Sequence, residues 1–199
     1  MKPTCLNNFF KFNQGVHHPH MKALEASIKA MAEGEMVYKL AKPNQQDSMI
    51  RLRLATYEDL PQMVEMEGKA YQGYLAWDLK DFERDWKYNR NLVYLVLEKS
   101  KNSDYPLVGM ITGRFVKDYS HISHLLLLPE YQGVGLGHSM LEYWLKASRY
   151  LGKKYTTLEV RESNSQAQKF YYQHDFMQIG KKNFYYDDGE TALLLKRFL

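Results

Sequence analysis

Hydrophobic and polar positions follow regular periods along most of the chain after residue 49. Ile50, Leu52 and Leu54 alternate with Arg51 and Arg53. This period of two predicts a strand with one face toward solvent. Similar alternation, or a short apolar run, predicts six further strands at residues 91–98, 107–116, 119–128, 156–161, 176–185 and 191–198.

Apolar residues at helical spacing predict four helices between these strands, at residues 60–67, 78–88, 137–150 and 165–174. The first follows Thr56 and Asp59, which resemble a capping box, and Gly152 stops the third. Several strands come first, and strands then alternate with helices. We therefore expect an α/β fold of the α+β kind, in which helices flank one mixed sheet.

The first 48 residues form a separate region in the sequence. Leu24, Ile28 and Met31 recur at helical spacing and predict an amphipathic helix over residues 21–38. Residues 42–47 are polar, include Pro43 and are typical of a linker. We place the start of the main domain at residue 49 and interpret residues 1–48 as an N-terminal extension that could support an oligomer.

Composition excludes several classes of protein. The chain is 45% hydrophobic and 25% charged, as is usual for a globular protein. Cys5 is the only cysteine, so neither an intrachain disulfide nor a thiolate metal cluster can form. The sequence contains no apolar run of about 18 residues, and its N-terminus lacks the apolar core of a signal peptide. We therefore expect a cytoplasmic protein with no membrane partner.

Charge and histidine content change this picture little. Lys and Arg total 27 and Asp and Glu total 23, and no RNA-binding motif accompanies this small excess, so we expect no direct nucleic-acid partner. His17, His18 and His20 have no carboxylate or cysteine close by, so we expect no metal site. Three later histidines are interpreted as structural or surface residues: His121, His124 and His174.

The most informative segment is a glycine turn that joins an apolar strand to a helix. The strand ends with Leu125, Leu126 and Leu127, and the turn region consists of Gln132, Gly133, Val134, Gly135, Leu136, Gly137 and His138. Glycine permits positive φ and close backbone approach. The N–H groups of a helix N-terminus converge on a small volume and favour an anion, so we expect a phosphate or diphosphate ligand there.

Three phosphate-binding patterns and a plain strand-to-helix turn are alternatives for this segment. A P-loop needs Lys followed by Ser or Thr, where this chain has His138 and Ser139. A Rossmann turn needs a third glycine at position 138, where this chain has histidine. In favour of that turn, Glu159 lies near the position at which an acidic residue would bind the ribose. The third pattern, Gln/Arg-x-x-Gly-x-Gly/Ala, is matched by Gln132, Gly135 and Gly137.

Three further blocks, in order and at fitting spacing, carry a resemblance to a known family. Residues 158–164 read LEVRESN, residues 167–176 read AQKFYYQHDF, and residues 183–193 read NFYYDDGETAL. With the glycine turn, they resemble the GNAT acetyltransferases over residues 50–199, and within them the RimI type, which acetylates the N-terminal alanine of a ribosomal protein. The resemblance implies a GNAT fold with a mostly antiparallel twisted sheet, and acetyl-CoA as cosubstrate at the glycine turn.

Acetyl transfer from a thioester to an amine needs a base for the amine and an acid for the departing thiolate. Glu159 alternates with Leu158 and Val160, so it lies on the opposite strand face, either as a solvated polar residue or as a functional one. Tyr171 would keep its proton at neutral pH, although a packed aromatic is the simpler role and Tyr172 is a rival. The resemblance implies that Glu159 is the base and Tyr171 the acid.

Asn164 stands at a strand-to-helix junction, where an N-cap is its common role. The resemblance adds contact with the pantetheine arm of the cofactor, and it implies that backbone groups of residues 125–127 pair with pantetheine amides. Two residues depart from the family pattern. His138 replaces a usual Arg or Lys, and Asp175 replaces a glycine that closes the preceding helix.

The acceptor is the least constrained part of the prediction. Residues 68–77 resemble the family's substrate-side loop only loosely, and they contain Tyr71 and Tyr74, which we consider for an acceptor groove. We expect a protein or peptide N-terminal amine as acceptor, with a small amine such as a polyamine, amino acid or aminoglycoside as the alternative. A CoA-binding module without turnover is a further alternative, but it would need neither Glu159 nor Tyr171.

Overall fold

The computed structural model of the protein describes residues 37–40, 48–71, 76–99 and 107–199. Eight strands form one sheet in these residues, in the spatial order β1-β2-β3-β4-β5-β6-β8-β7. The strands are β1 Val37–Leu40, β2 Ser48–Leu54, β3 Leu92–Lys99, β4 Leu107–Phe115, β5 Tyr119–Leu127, β6 Tyr155–Arg161, β7 Met177–Lys182 and β8 Ala192–Phe198.

Helices connect several of these strands. The α-helices are α1 Leu60–Ala70, α2 Leu79–Tyr88, α3 Leu136–Tyr150 and α4 Ser165–Tyr172, and 3-10 turns span Tyr57–Asp59 and Pro129–Tyr131. The strands and helices predicted after residue 49 are confirmed, although α4 and β7 are shorter than their patterns indicated. No helix in the described ranges has the length and apolar character needed to cross a membrane.

The sheet includes residues on the N-terminal side of the boundary predicted at residue 49. β1 pairs antiparallel with β2, with Val37 opposite Arg51 and Leu40 opposite Ser48. The last two positions of the helix predicted over residues 21–38 therefore lie in a strand. The other positions of that helix, and the linker predicted at residues 42–47, lie outside the described residues.

Strand direction confirms a mixed and mostly antiparallel sheet. Neighbouring strands run antiparallel except β5 and β6, which are parallel. Their pairing extends only from Tyr119 opposite Tyr155 to Ile122 opposite Leu158. β5 nevertheless continues to Leu127 and β6 to residue 161. An opening therefore begins between the two strands after their last paired residues.

A buried polar cluster holds β5 and β6 together below this opening. Ser120 Oγ lies 2.8 Å from Ser148 Oγ and 2.9 Å from Thr156 Oγ1, and Trp144 Nε1 donates to it at 3.0 Å. The cluster joins both strands to α3. Buried polar groups are stable when hydrogen-bonded in this way, so the cluster fixes the point from which the strands diverge.

A β-bulge in β5 determines which of its side chains lie on each face of the sheet. Thr112 of β4 faces His124, but the next residue, Gly113, faces Ile122, so Ser123 is an extra residue in a β-bulge.

Cross-strand partners share a face of a sheet, so the bulge places two histidines on the same side. His124 lies on the face of Thr112, and His121 pairs with Arg114 two residues along β4. This face is covered by α1 and α2, and the ring of Phe82 in α2 lies 5.5 Å from that of His124.

Candidate active site

The glycine turn begins where β5 ends and passes directly into α3. Gly133 and Gly135 have φ of 73° and 88°, in the left-handed region that a side chain disfavours. Gly135 is the N-cap of α3. The turn therefore has the glycines that its backbone requires.

Backbone N–H groups at the start of α3 are available to a ligand. The first backbone bond of the helix runs from the Ser139 N–H to the Gly135 carbonyl at 3.0 Å. The N–H groups of Leu136, Gly137 and His138 precede it and have no acceptor within the helix. Together with the helix dipole, they form a site that suits a phosphate or diphosphate.

Gln132 fixes the turn to the end of β5. Its Nε2 donates to the Leu127 carbonyl at 3.0 Å. Sequence reasoning assigned both residues to cofactor contact, and the structure shows that they also bond to each other. Gln132 therefore positions the turn relative to the strand.

The end of β5 forms one wall of the opening between β5 and β6. Leu126 and Leu127 are buried, whereas Leu125 is half-buried. β4 pairs with β5 as far as Leu127, so one backbone edge of this segment is occupied by β4. The other edge faces the opening, where an extended polar chain could pair with it as a strand does.

Helix α4 places a tyrosine within the protein. Asn164 caps this helix, because its Oδ1 accepts from the Ala167 N–H at 2.9 Å. Tyr171 is 7% exposed and its ring packs against Phe176, whereas Tyr172 is 43% exposed. Burial raises the pKa of the Tyr171 hydroxyl, and the hydroxyls of Tyr71 and Tyr186 add smaller contributions. Of the two rival tyrosines, Tyr171 is therefore the buried one.

Glu159 lies on the half-buried face of β6, opposite buried Leu158 and Val160, as the alternation predicted. Lys182 Nζ donates to its Oε1 at 2.8 Å, and His121 Nε2 lies 3.3 Å from its Oε2. The hydrogen bond with Glu159 raises the pKa of Lys182. This carboxylate therefore lies between an ammonium and an imidazole.

The imidazole beside Glu159 is neutral near pH 7, because burial lowers the pKa of His121 to about 4. Its Nδ1 lies 3.0 Å from Thr157 Oγ1. Because a carboxylate cannot donate, the Glu159 carboxylate beside Nε2 favours the tautomer with its hydrogen on Nε2, and Nδ1 then accepts from the Thr157 hydroxyl. Sequence reasoning had interpreted His121 as a structural or surface residue, and it missed this contact because the two residues are far apart in sequence.

A second carboxyl–imidazole pair lies on the same face. Glu67 of α1 is fully buried, and its Oε1 lies 3.4 Å from His124 Nε2. Its Oε2 accepts from the Trp77 N–H at 3.2 Å. Burial raises the pKa of Glu67 to about 7 and lowers that of His124 to about 4. Glu67 therefore keeps its proton below about pH 7, and through Oε2 it holds the end of the loop that precedes α2.

The segment between β7 and β8 is tied to β6 by an arginine. Arg161 Nη1 donates to Asp188 at 2.7 Å and to Glu190 at 2.6 Å, and the guanidinium lies 4.0 Å from the centre of the Tyr186 ring. Tyr71 of the loop after α1 is near enough to influence the pKa of Tyr171. The segments that contain Tyr71 and Tyr186 therefore lie near Tyr171. Tyr74, the other tyrosine considered for an acceptor groove, lies outside the described residues.

Within the described ranges, no group of three or more His, Cys, Asp or Glu side chains could hold a metal ion. The described residues contain a backbone anion site at the start of α3, an opening between β5 and β6, and the candidate catalytic side chains Glu159 and Tyr171. The glycines, the free N–H groups and the open edge of β5 suit a ligand with a diphosphate at one end and amides along its length. Acetyl-CoA has this chemistry.

Sequence comparisons relate the chain to known acetyltransferases. The model of the acetyltransferase (GNAT) family matches residues 55–176. The chain is 30% identical over 139 residues to a putative [ribosomal protein bS18]-alanine N-acetyltransferase of Bacillus subtilis, a match that covers 69% of this chain and 88% of the relative.

Solved structures share the fold. The ribosomal-protein-S18-alanine N-acetyltransferase of Escherichia coli superposes with a TM-score of 0.65 at 24% identity, covering 75% of this chain and 94% of the other. Ard1 of Thermoplasma volcanium also gives 0.65, at 18% identity over 75% and 97% of the two chains. The family match spans more than half of the sequence, and the chain therefore belongs to the GNAT family of acetyltransferases.

Proposed function

We propose that this acetyltransferase transfers the acetyl group of acetyl-CoA to the N-terminal α-amine of a protein or peptide. The observation that carries the proposal is the burial of the Tyr171 side chain, which is 7% exposed. Tyr71 and Tyr186, which help to raise the pKa of Tyr171, come from the two segments that would flank an acceptor. The similarity to the Bacillus subtilis relative supports a protein N-terminus as that acceptor.

Acetyl-CoA supplies the activated acyl group as a thioester. The N–H groups of Leu136, Gly137 and His138 would hold its diphosphate, and the open edge of β5 at residues 125–127 would bind the pantetheine amides. Asn164 uses Oδ1 as the helix cap, which leaves its amide nitrogen for the pantetheine arm. Binding along this path restrains the thioester relative to the acceptor.

Two side chains would then handle protons. Glu159 would accept the proton that the α-ammonium must lose before it attacks, directly or through a water molecule. The attack forms the new C–N bond, and the C–S bond breaks as the thiolate leaves. Tyr171 would donate its proton to that thiolate. Burial raises the pKa of Tyr171, and the same dry environment raises the proton affinity of the thiolate, so the transfer remains feasible.

A matched set of acceptors tests the proposal. The full chain is given acetyl-CoA and a peptide with a free N-terminus and no lysine, the same peptide with a blocked N-terminus, and the blocked peptide with one lysine. Spermidine and free amino acids form a small-amine set. Released thiol gives the rate, and mass spectrometry locates the acetyl group.

We expect acetylation of the free N-terminus and none of the blocked peptide. Faster transfer to the lysine peptide or to a small amine would contradict the assigned acceptor but leave an acetyltransferase. Failure of every acceptor to release thiol above the rate without acceptor would contradict catalysis by this site.

A further inference from the structure

Two histidines meet beside the glycine turn. His138 is the third residue of α3, and His174 follows the end of α4. Nδ1 of His138 lies 2.7 Å from Nε2 of His174, and the ring centres are 4.9 Å apart. The N–H group of His138 also belongs to the anion site described above. The pair therefore joins that site to α4.

The partners of the pair determine where its hydrogens lie. His174 Nδ1 is 2.7 Å from the Phe170 carbonyl, which can only accept, so Nδ1 carries a hydrogen. In neutral His174 the Nε2 atom then accepts, and its donor must be Nδ1 of His138. A neutral His138 has only one ring hydrogen. Its Nε2 therefore has a lone pair and cannot donate to an anion.

One additional proton on the pair changes His138 Nε2 from an acceptor into a donor. If the proton lies on His138, its Nδ1 donates to His174 and its Nε2 also carries a hydrogen. If the proton lies on His174, that Nε2 donates to Nδ1 of His138, whose own hydrogen moves to Nε2. In both cases the pair gains a positive charge, and His138 Nε2 becomes a donor.

Two carboxylates close to the pair in the sequence share an arginine of β8, and Lys169 of α4 is exposed. Glu142 lies one turn beyond His138 on α3, and Asp175 follows His174. Arg197 of β8 contacts both carboxylates, each at 3.4 Å. The turn at residues 132–137 has no charged side chain. A phosphate at the turn would thus add an anion beside His138, which directly follows this uncharged segment.

We propose that the His138–His174 pair takes up one proton when the diphosphate of CoA binds at the glycine turn. His174 is the positioning residue, because its bond to Phe170 fixes its tautomer and its Nε2 holds Nδ1 of His138. Affinity for CoA then increases as the pH falls. The inference rests on the proposed use of acetyl-CoA, but it concerns binding and can be tested without turnover.

Calorimetry with dephospho-CoA is the direct test. This ligand keeps the diphosphate and lacks the phosphomonoester of CoA, which itself titrates near pH 6. Binding to the full chain is measured from pH 5.5 to 8.5 in buffers of different ionisation enthalpy. We expect uptake of up to one proton per ligand, and affinity that weakens with increasing pH by no more than about tenfold per pH unit.

Two variants separate the roles of the histidines. His138→Arg has a permanent charge and should bind with no proton uptake and little dependence on pH. His174→Phe keeps an aromatic ring beside Phe170 but lacks the acceptor nitrogen. It should bind several-fold more weakly than the natural chain at pH 6 and equally well at pH 8.5.

Binding by the natural chain without proton uptake would overturn the proposal and leave the proposed function intact. Unchanged proton uptake in His138→Arg would overturn it as well. Equal affinity of His174→Phe and the natural chain at both pH values would remove the positioning role of His174. If neither CoA nor dephospho-CoA binds at any pH, the proposed function fails together with the inference.

Discussion

At the scale of single residues, the sharpest contrast is between two adjacent tyrosines. Tyr171 is 7% exposed and Tyr172 is 43% exposed. Tyr171→Phe removes one hydroxyl from the site, so we expect kcat to fall by roughly 10²-fold or more, as for the loss of a general acid. The rate of thiol release from acetyl-CoA at saturating acceptor measures this change.

Tyr172→Phe is the matched control, since it removes the same atom one residue along the helix. Its kcat should stay within about twofold of the natural value, because a hydroxyl on the surface makes no contribution to the departing thiolate. If the two variants lose kcat equally, or if Tyr171→Phe keeps full kcat, Tyr171 is not the acid.

The placement of a side chain could be predicted where a local sequence pattern determines it. The alternation around Glu159 placed its side chain correctly, because a strand has a period of two. His121 was missed because the bulge at Ser123 interrupts that period, and because its partner Glu159 lies on another strand. A histidine near a bulge carries no sequence signal for its partner.

Asp175 shows how a departure from a family pattern can be accommodated. The family has a glycine there, and Asp175 adopts the left-handed conformation, with φ of 59°. Asp and Asn tolerate this region better than other residues with a side chain. The helix end that glycine would form is therefore kept.

At the scale of elements, the bulge between β4 and β5 requires a glycine. A β-carbon on Gly113 would lie 1.9 Å from the carbonyl oxygen of His121. The backbone must move to admit it, so we expect Gly113→Ala to lower the free energy of unfolding by about 1–3 kcal/mol. Urea denaturation followed by fluorescence measures the loss.

Gly180→Ala is a suitable comparison, because its β-carbon would meet only the end of the Leu194 side chain, at 3.3 Å. That side chain can move, so the effect should be smaller. Equal losses in the two variants would indicate that the bulge imposes no special constraint at Gly113.

The elements themselves could be predicted from the sequence, but their assembly could not. Periods of two and 3.6 located the strands and helices after residue 49. Periodicity does not show that β5 and β6 stop pairing at Ile122 and Leu158. It also does not show that β8 lies between β6 and β7. The opening at the site arises from these long-range pairings, so the sequence pattern could not predict it.

At the scale of the whole molecule, stability depends on pH through ionisable groups in the described core, among them His121, His124 and Glu67. Burial lowers the pKa of His121 and His124 from 6.5 to about 4 and raises that of Glu67 from 4.5 to about 7. The folded chain binds fewer protons than the unfolded chain at each histidine, so their contribution to stability increases as the pH rises from about 4 to 6.5. Glu67 acts in the opposite direction, because its folded form keeps a proton up to about pH 7.

Two histidines oppose one carboxyl, so we expect these groups together to increase the free energy of unfolding between pH 4 and 6.5. His124→Gln should remove up to about 3 kcal/mol of that increase. Glu67→Gln should make the increase steeper, because it removes the opposing group. Denaturation in urea at half-unit steps of pH gives the slopes, which separate titration from any general loss of packing.

Glu65→Gln is the control for Glu67→Gln, since both residues lie on α1 and Glu65 is exposed. Its slope should match that of the natural chain within about 0.5 kcal/mol over the window, because a surface ion pair contributes little to stability. A Glu67→Gln slope equal to that of the natural chain would mean that Glu67 is ionised in the folded protein below pH 6. Glu67 would then face His124 as a carboxylate, and that carboxylate would accept from the Trp77 N–H at the end of the loop before α2.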